Sequence, residues 1–206
     1  MSMNYPSFFD DVEKITLIDP LSDFLGNFKE GVITFSYLDI VKCAGHSCPT
    51  VAGAYLMTLK GLKALYGDEL PVRGNIHVAF GEPQTSGVTG VIGAVMSNIT
   101  GATHDHGFKG LAGGHGRVGL MDFEEPVDAN VIFTRVDSGA RVSVTYNPYD
   151  IEGDPRMGEL MSKKINGIAS VEESQLFGEL WQQRVSQILI DHFNDPECIQ
   201  VNIIDG

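Results

Sequence analysis

The chain has 206 residues, 43% of them hydrophobic and 20% charged, so it can bury a sizeable core and is not expected to be disordered. Its 14 Lys and Arg against 27 Asp and Glu give a net charge of −13, which disfavours nucleic acid and anionic membrane surfaces as partners. No stretch approaches the roughly 20 consecutive apolar residues of a membrane span. The N-terminus shows no basic region ahead of an apolar run, so we expect a cytoplasmic protein.

The first half of the chain alternates helical and extended patterns. An amphipathic helix interrupted near Pro20 is expected over 6–25, and a strand over 31–42. A largely buried helix is expected from Pro49 to residue 66, because proline is well tolerated in a first turn. After a strand at 72–80, residues 86–100 form a glycine-containing helix that we expect to pack closely against another backbone or a ligand.

The second half adds further strands and two helices. The patterns predict strands near 117–122, 129–137, 141–147 and 198–204. One helix is expected to begin at Asp154 and another at Ser170, where Glu173 completes a capping box. Because strands and helices are intermixed, the fold class is α+β or open α/β, and we expect α+β, a mixed β-sheet flanked by helices. The length predicts a single domain over 1–206, with a core of about 30–150 on which the N-terminal helix and the two C-terminal helices pack.

The sharpest local feature is Cys43-x-x-His46-x-Cys48-Pro49, predicted to lie at a strand-to-helix turn. Thiolate sulfur and imidazole nitrogen are the ligands that zinc prefers, and they also bind iron, nickel and copper. Cys48 precedes a predicted helix, whose N-terminal N–H groups stabilise a thiolate. With Cys198, the chain has three cysteines, too few for a disulfide framework. The alternative interpretation is a small buried thiol beside a hydrogen-bonded histidine.

A second cluster lies in the glycine-rich segment, residues 101–119. His104, His106 and His115 are further candidate metal ligands, and the neighbouring Asp105 is a candidate ligand or acceptor for a histidine. Lys109 and Arg117 flank the histidines, so these two cations are candidates for holding an anionic substrate or cofactor group. The alternative is an exposed loop whose histidines titrate freely. His77, on the polar face of its predicted strand, is expected to be exposed to solvent.

Gly45-His46-Ser47-Cys48-Pro49, followed by an apolar helix, resembles the E-subunit family of formylmethanofuran dehydrogenase. Thr100-Gly101-Ala102-Thr103, after a small-residue helix, supports the resemblance, which covers roughly 30–150. It implies a loosely thioredoxin-like core with a metal site at the His-x-Cys-Pro turn, without the C-terminal zinc finger of some members. Ala44 stands where the family commonly has its first histidine, and Val91 and Ala102 stand near positions where it often has cysteines. The histidines of the glycine-rich segment then replace thiolates in a rebuilt ligand set.

These observations lead to a metal-binding protein as the first hypothesis, with zinc as the default metal and a metal ion or small molecule as the ligand. Its candidate ligands are the cysteines and histidines of the two clusters, Cys43, His46, Cys48, His104, His106 and His115. A small metalloenzyme and an accessory protein of a larger enzyme both stay open, as do iron and nickel. The alternatives are a haem-binding module with Cys/His ligation and a thiol-redox protein. Long apolar helices favour association into a homodimer.

Overall fold

A computed structural model describes residues 4–111 and 113–204. The fold belongs to the α+β class, as expected from the sequence. A five-stranded sheet in the order β4-β3-β5-β6-β7 forms its centre, and β1 and β2 form a separate antiparallel pair. Within the large sheet, β3 and β4 run parallel and the other neighbours antiparallel. The closer likeness to thioredoxin stays a prediction.

The strands are β1 (Ile15–Ile18), β2 (Val32–Phe35), β3 (Ile76–Phe80), β4 (Met121–Asp122), β5 (Val131–Arg135), β6 (Arg141–Tyr146) and β7 (Ile199–Ile204). The helices are α1 (Pro20–Phe24), α2 (Tyr37–Ala44), α3 (Pro49–Tyr66), α4 (Thr89–Thr100), α5 (Met157–Ile165) and α6 (Val171–Ser186). Short 3₁₀ turns cover Ser7–Asp10 and Lys29–Gly31, and a wide π turn, Gln187–Asp191, extends α6. Among the described residues, no helix combines the length and the apolar composition required to cross a membrane.

Helix α3 lies across one face of the large sheet and forms the centre of the core. Most of its residues are buried, as its near-continuous apolar sequence predicts. Two glycines let the sheet approach the helix axis closely. Gly53 faces the ring of Tyr146, and a Cβ added at Gly61 would lie 2.7 Å from the buried ring of Phe133. The packing between helix and sheet therefore depends on the absence of these two side chains.

The N-terminal region differs most from expectation. The predicted helix over 6–25 is wrong, because Ile15–Ile18 forms β1 and pairs antiparallel with β2. The predicted strand over 31–42 is also wrong beyond Phe35. Ser36 and Asp39 form a capping box there, in which the Ser36 hydroxyl accepts from the Asp39 N–H and the Asp39 carboxylate accepts from the Ser36 N–H. The chain consequently turns into α2 directly after β2.

Helices α5 and α6 form an antiparallel hairpin outside the large sheet. Met157, Leu160 and Leu180 make a small hydrophobic cluster between them. Trp181 packs against this cluster and also against the main core, so it joins the hairpin to the rest of the fold. The capping box at Ser170 and Glu173 is confirmed.

Two glycine-to-alanine variants test the packing of α3. We expect Gly61→Ala to lower the free energy of unfolding by about 1–3 kcal/mol, because the new methyl group collides with Phe133. Gly178→Ala, in α6, is the matched control: no atom lies within 4 Å of its added Cβ, so better helix propensity should raise stability by up to about 1 kcal/mol. Urea denaturation measures both. Equal effects of the two substitutions would contradict the close contact between α3 and β5.

Candidate functional site

The Cys-Pro turn, residues 43–49, joins two helices. Gly45 ends α2 in a left-handed conformation, with φ of 77°, and Cys48 is the N-cap of α3. The Cys48 Sγ accepts a hydrogen bond from the Val51 N–H at 3.4 Å. The predicted strand-to-helix turn is therefore wrong, because α2 intervenes, whereas the predicted position of Cys48 at the start of a helix is confirmed. Cys43 and His46 are exposed and Cys48 is half-buried.

The C-terminal hairpin holds this turn through the Ser47 main chain. The Ser47 carbonyl accepts hydrogen bonds from Trp181 Nε1 at 3.0 Å and from the Gln182 side-chain amide at 3.2 Å. The Ser47 hydroxyl lies 3.0 Å from the hydroxyl of Tyr37, which is buried. Burial raises the pKa of Tyr37 well above its ordinary range; the hydrogen bond with Ser47 lowers it in part, and the nearby Cys48 adds to the rise. The neutral phenol is thus a hydrogen-bonding support for the turn.

The glycine-rich segment folds back on itself, and its two ends are bonded together. The Thr103 N–H donates to the Arg117 carbonyl at 2.9 Å, and the Gly119 N–H donates to the His104 carbonyl at 2.8 Å. Further along, the Arg117 N–H donates to the Phe108 carbonyl at 2.8 Å. The position of His104 at the start of the segment is therefore fixed by main-chain bonds.

His104 and His106 line one cavity of about 230 Å³, which we call the loop cavity. Small residues of α4 form its opposite wall, including Gly90, Gly93 and Ser97. A Cβ added at Gly90 would lie 2.9 Å from the Gln84 carbonyl oxygen, and one at Gly93 would lie 3.3 Å from the Phe123 ring. The expected close approach to the glycines of this helix is thus present. The predicted ligand His115 contacts a different group, the ring of Phe24, at a centroid distance of 5.6 Å.

The ring orientations of three histidines share one feature. Nδ1 of His104 lies 2.8 Å from the Met121 carbonyl oxygen, and Nδ1 of His46 lies 3.0 Å from the Ala44 carbonyl oxygen. Nδ1 of His106 lies 3.0 Å from the Asp105 carboxylate, and this hydrogen bond is the largest cause of the lowered pKa of Asp105. Since carbonyl and carboxylate oxygens only accept, each Nδ1 carries the proton, and the lone pair of the neutral ring lies on Nε2. Nε2 is then the nitrogen available to a ligand.

Sequence reasoning missed a contact between His77 and Asp122. His77 Nε2 lies 2.8 Å from Asp122 Oδ2, and the other carboxylate oxygen lies 3.7 Å from His104 Nδ1. The expectation that His77 is solvent-exposed is wrong: its side chain is 27% exposed and lies in this contact. The parallel pairing of β3 with β4 brings the two residues together, and no local sequence pattern indicates that pairing.

The two candidate anion-binding cations lie in different surroundings. Lys109 is exposed on the glycine-rich segment. Arg117 is 6% exposed, and its guanidinium forms an ion pair with Asp19 at 2.7 Å. Arg73 pairs with the other carboxylate oxygen of Asp19 at 2.8 Å, which completes the Asp19 triad. The charge of Arg117 is therefore balanced inside the fold.

The structure brings some of the predicted ligands together and separates others. Over residues 4–111 and 113–204, no three or more His, Cys, Asp and Glu side chains form a group that could hold a metal ion. Of the predicted ligands, His104 and His106 share the loop cavity, whereas Cys43, His46 and Cys48 lie at the Cys-Pro turn. No protein-family model matches the chain, and no curated protein sequence matches it either.

Asp19→Asn tests the buried triad. Burial acts to raise the pKa of Asp19, but the Arg73 hydrogen bond and the charges of Arg117 and Arg73 outweigh it, so the pKa is lowered. The charged carboxylate therefore stabilises the fold above its ordinary pKa near 3.8, and this contribution is lost as the pH falls through the lowered value. We expect the variant to lose about 3–5 kcal/mol at pH 7, because Arg117 stays buried without its partner.

Urea unfolding at several pH values measures both effects. The wild type should lose stability as the pH falls below about 3.8, through the lowered pKa of Asp19. Asp19→Asn should lose less stability over the same pH change. Asp23→Asn is the control, because Asp23 is exposed and lies four residues after Asp19, in α1. A similar loss of stability in both variants would show that the triad is not responsible.

Proposed function

We propose that the chain is a metal-binding protein, with the imidazoles of His104 and His106 as ligands in the loop cavity and zinc as the default metal. The observation that carries the proposal is that both side chains line one cavity and both hold Nδ1 in a hydrogen bond to oxygen. Metal-ligating histidines characteristically donate their second ring N–H to a carboxylate or a carbonyl oxygen, which orients the ring and raises its basicity. Both histidines have this arrangement.

The rest of the cavity wall offers oxygen ligands. Gln84, Ser97 and Asn98 line it, so oxygen atoms of these residues and water are candidates to complete a coordination shell around two nitrogens. The volume also favours a small ligand. About 230 Å³ is below the ~300–1,000 Å³ of pockets that enclose drug-sized molecules, which favours a metal ion or small anion over haem. An ion that kept an open coordination position would polarise bound water or a small anion.

The resemblance to the E-subunit family of formylmethanofuran dehydrogenase enters the proposal through the Cys-Pro turn. In that interpretation Cys43, His46 and Cys48 are donors too, and the orientation of His46 supports it, since its Nδ1 is bonded to the Ala44 carbonyl. Variants that test metal binding at the Cys-Pro turn therefore also test the resemblance to the family. We also propose a cytoplasmic location, because the three cysteines are free, as is usual in a reducing compartment.

Metal binding is tested by zinc titration of protein purified without an affinity tag, followed by metal analysis after dialysis. We expect one zinc per chain, and we expect His104→Gln and His106→Gln each to weaken binding by more than about tenfold, because each removes one of two nitrogen ligands. Asp122→Asn should weaken it by about tenfold, because the carboxylate lies beside the Nδ1 edge of His104. His192→Gln is the matched control, since His192 pairs with Asp195 and does not line the cavity.

Two further variants separate the loop cavity from the Cys-Pro turn. Loss of zinc in His46→Gln or Cys48→Ser, with the loop variants unaffected, would transfer the site to the turn and support the family resemblance. Loss in both sets would show that the turn and the loop contribute to one site. Equal zinc content in every variant, or no zinc bound by the wild type, would refute the proposal.

Thiol chemistry at Cys48 is the second candidate function, favoured by the hydrogen bond from the Val51 N–H to Cys48 Sγ at the start of α3. Cys198 provides an internal comparison, because burial is the main cause that raises the pKa of its thiol to about 11. We expect iodoacetamide at pH 7.5 to modify Cys48 at least about tenfold faster than Cys198, since the thiolate is the nucleophile. Mass spectrometry of the alkylated peptides measures both rates, and equal rates would exclude an activated Cys48.

A further inference from the structure

Within residues 4–111 and 113–204, strand β7 lies at one edge of the large sheet, with β6 as its one neighbouring strand. All six of its residues, Ile199–Ile204, pair with β6, and none of them is charged or proline. Natural sheets usually protect such an edge with charges, prolines or bulges, because its unpaired main-chain groups bind other strands. The chain has a net charge of −13, but these six residues place no charged side chain on the edge. The edge can therefore pair with a strand of another chain.

The register shows which main-chain groups of β7 are unpaired. The Asn147 N–H donates to the Cys198 carbonyl at 2.9 Å, which makes residues 147 and 198 a hydrogen-bonded pair. In an antiparallel ladder such pairs alternate with non-hydrogen-bonded pairs, so Gln200 and Asn202 bond to β6. The N–H and C=O groups of Val201 and Ile203 consequently point away from the sheet.

The side chains of these two residues share one face of the sheet but differ in their surroundings. Both lie on the face that α3 covers, since their partners on β6, Val144 and Val142, are buried. Ile203 is 73% exposed and protrudes from that face. Beside Val201 lies a shallow open groove, whose lining also includes the apolar residues Ala64, Pro196 and Ile199 and the polar residues Lys60, Lys63 and Asn194. One edge therefore carries both an apolar projection and a partly apolar groove, two residues apart.

We propose that β7 pairs antiparallel with β7 of a second copy of this chain, about a twofold axis at Asn202. In this register Val201 of each copy lies opposite Ile203 of the other, and the outward N–H and C=O groups of both residues bond across the axis. Each Ile203 side chain enters the groove beside Val201 of the other copy. The contact is the same in both directions, as a closed twofold dimer requires, and it joins the two five-stranded sheets into one.

The self-complementary spacing favours a second copy over an unrelated strand. A twofold axis at Asn202 gives hydrogen-bond partners to the outward main-chain groups of Val201 and Ile203. It also covers the exposed Ile203 side chain of each copy. It also places the two exposed Asn202 amides side by side on the opposite face, where each can donate to the other. No charged side chain of β7 opposes another across the axis.

A cysteine at the axis tests the register directly. In a Cys43→Ser background, we expect Asn202→Cys to form a disulfide-linked dimer under mild oxidation. The Cα atoms of a non-hydrogen-bonded antiparallel pair lie about 4.5 Å apart, within the range that a disulfide spans. Gln200→Cys is the matched control, on the same strand and the same face, but it lies opposite Ile204 of the other copy and should stay unlinked. Linkage at 200 and not at 202, or linkage at neither, would overturn the proposed register.

Sedimentation equilibrium tests the interface without cross-linking. The wild type should dimerise, and Ile203→Lys should raise the dimer dissociation constant by at least about tenfold, because it brings a charge beside Lys60 and Lys63. Ile165→Lys is the control at an isoleucine that is 78% exposed on α5, and it should leave dimerisation unchanged. Thermal melting confirms that both variants fold. A monomeric wild type, or a dimer that Ile203→Lys leaves intact, would refute the proposal.

Discussion

The Asp19 triad determines where the glycine-rich segment lies. Asp19, 4% exposed, joins the end of β1 to Arg73, ahead of β3, and to Arg117, near the end of the segment. Arg73 also donates to the carbonyls of Ile99 and Asn98 at the end of α4, where the segment begins. Because a buried charge without its partner is strongly unfavourable, the two arginines hold both ends of the segment on one carboxylate. The imidazoles of the loop cavity lie between these two anchored ends.

Glycines make the triad and the cavity sterically possible. A side chain at Gly74 would collide with the Arg117 guanidinium, and Gly101 adopts φ of 77° at the end of α4, where the segment turns away from the helix. Gly90 and Gly93 let the Gln84 main chain and the Phe123 ring approach α4 closely, beside the cavity that His104 lines. The small residues thus serve two purposes, since they admit a buried ion pair on one side of the segment and close packing against α4 on the other.

The parts of the fold that could be predicted are those with local signals. Helix α3 matches its expected bounds of 49–66, because Pro49 and a continuous apolar sequence define it, and α6 follows its capping box at Ser170. The N-terminal strand β1 could not be predicted, since its four residues become a strand by pairing with β2. The capping box at Ser36 and Asp39 is a local signal for the start of α2. The alternating apolar residues before it favour a strand and lead to the wrong prediction for 36–42. The sequence indicated the candidate donor residues, but which of them lie together depends on long-range pairing.

The two imidazoles of the loop cavity are held by different means, and this difference bears on how the site would work. The Nδ1 edge of His104 lies against the Met121 carbonyl and near the Asp122 carboxylate, both on β4, and Asp122 in turn is held by His77 on β3. His106 depends on its sequence neighbour Asp105, and both side chains are exposed. The sheet therefore fixes the first ring, whereas the second ring can adjust. An ion bound between them would be held at a set distance from the sheet, and its coordination would restrain the exposed part of the segment.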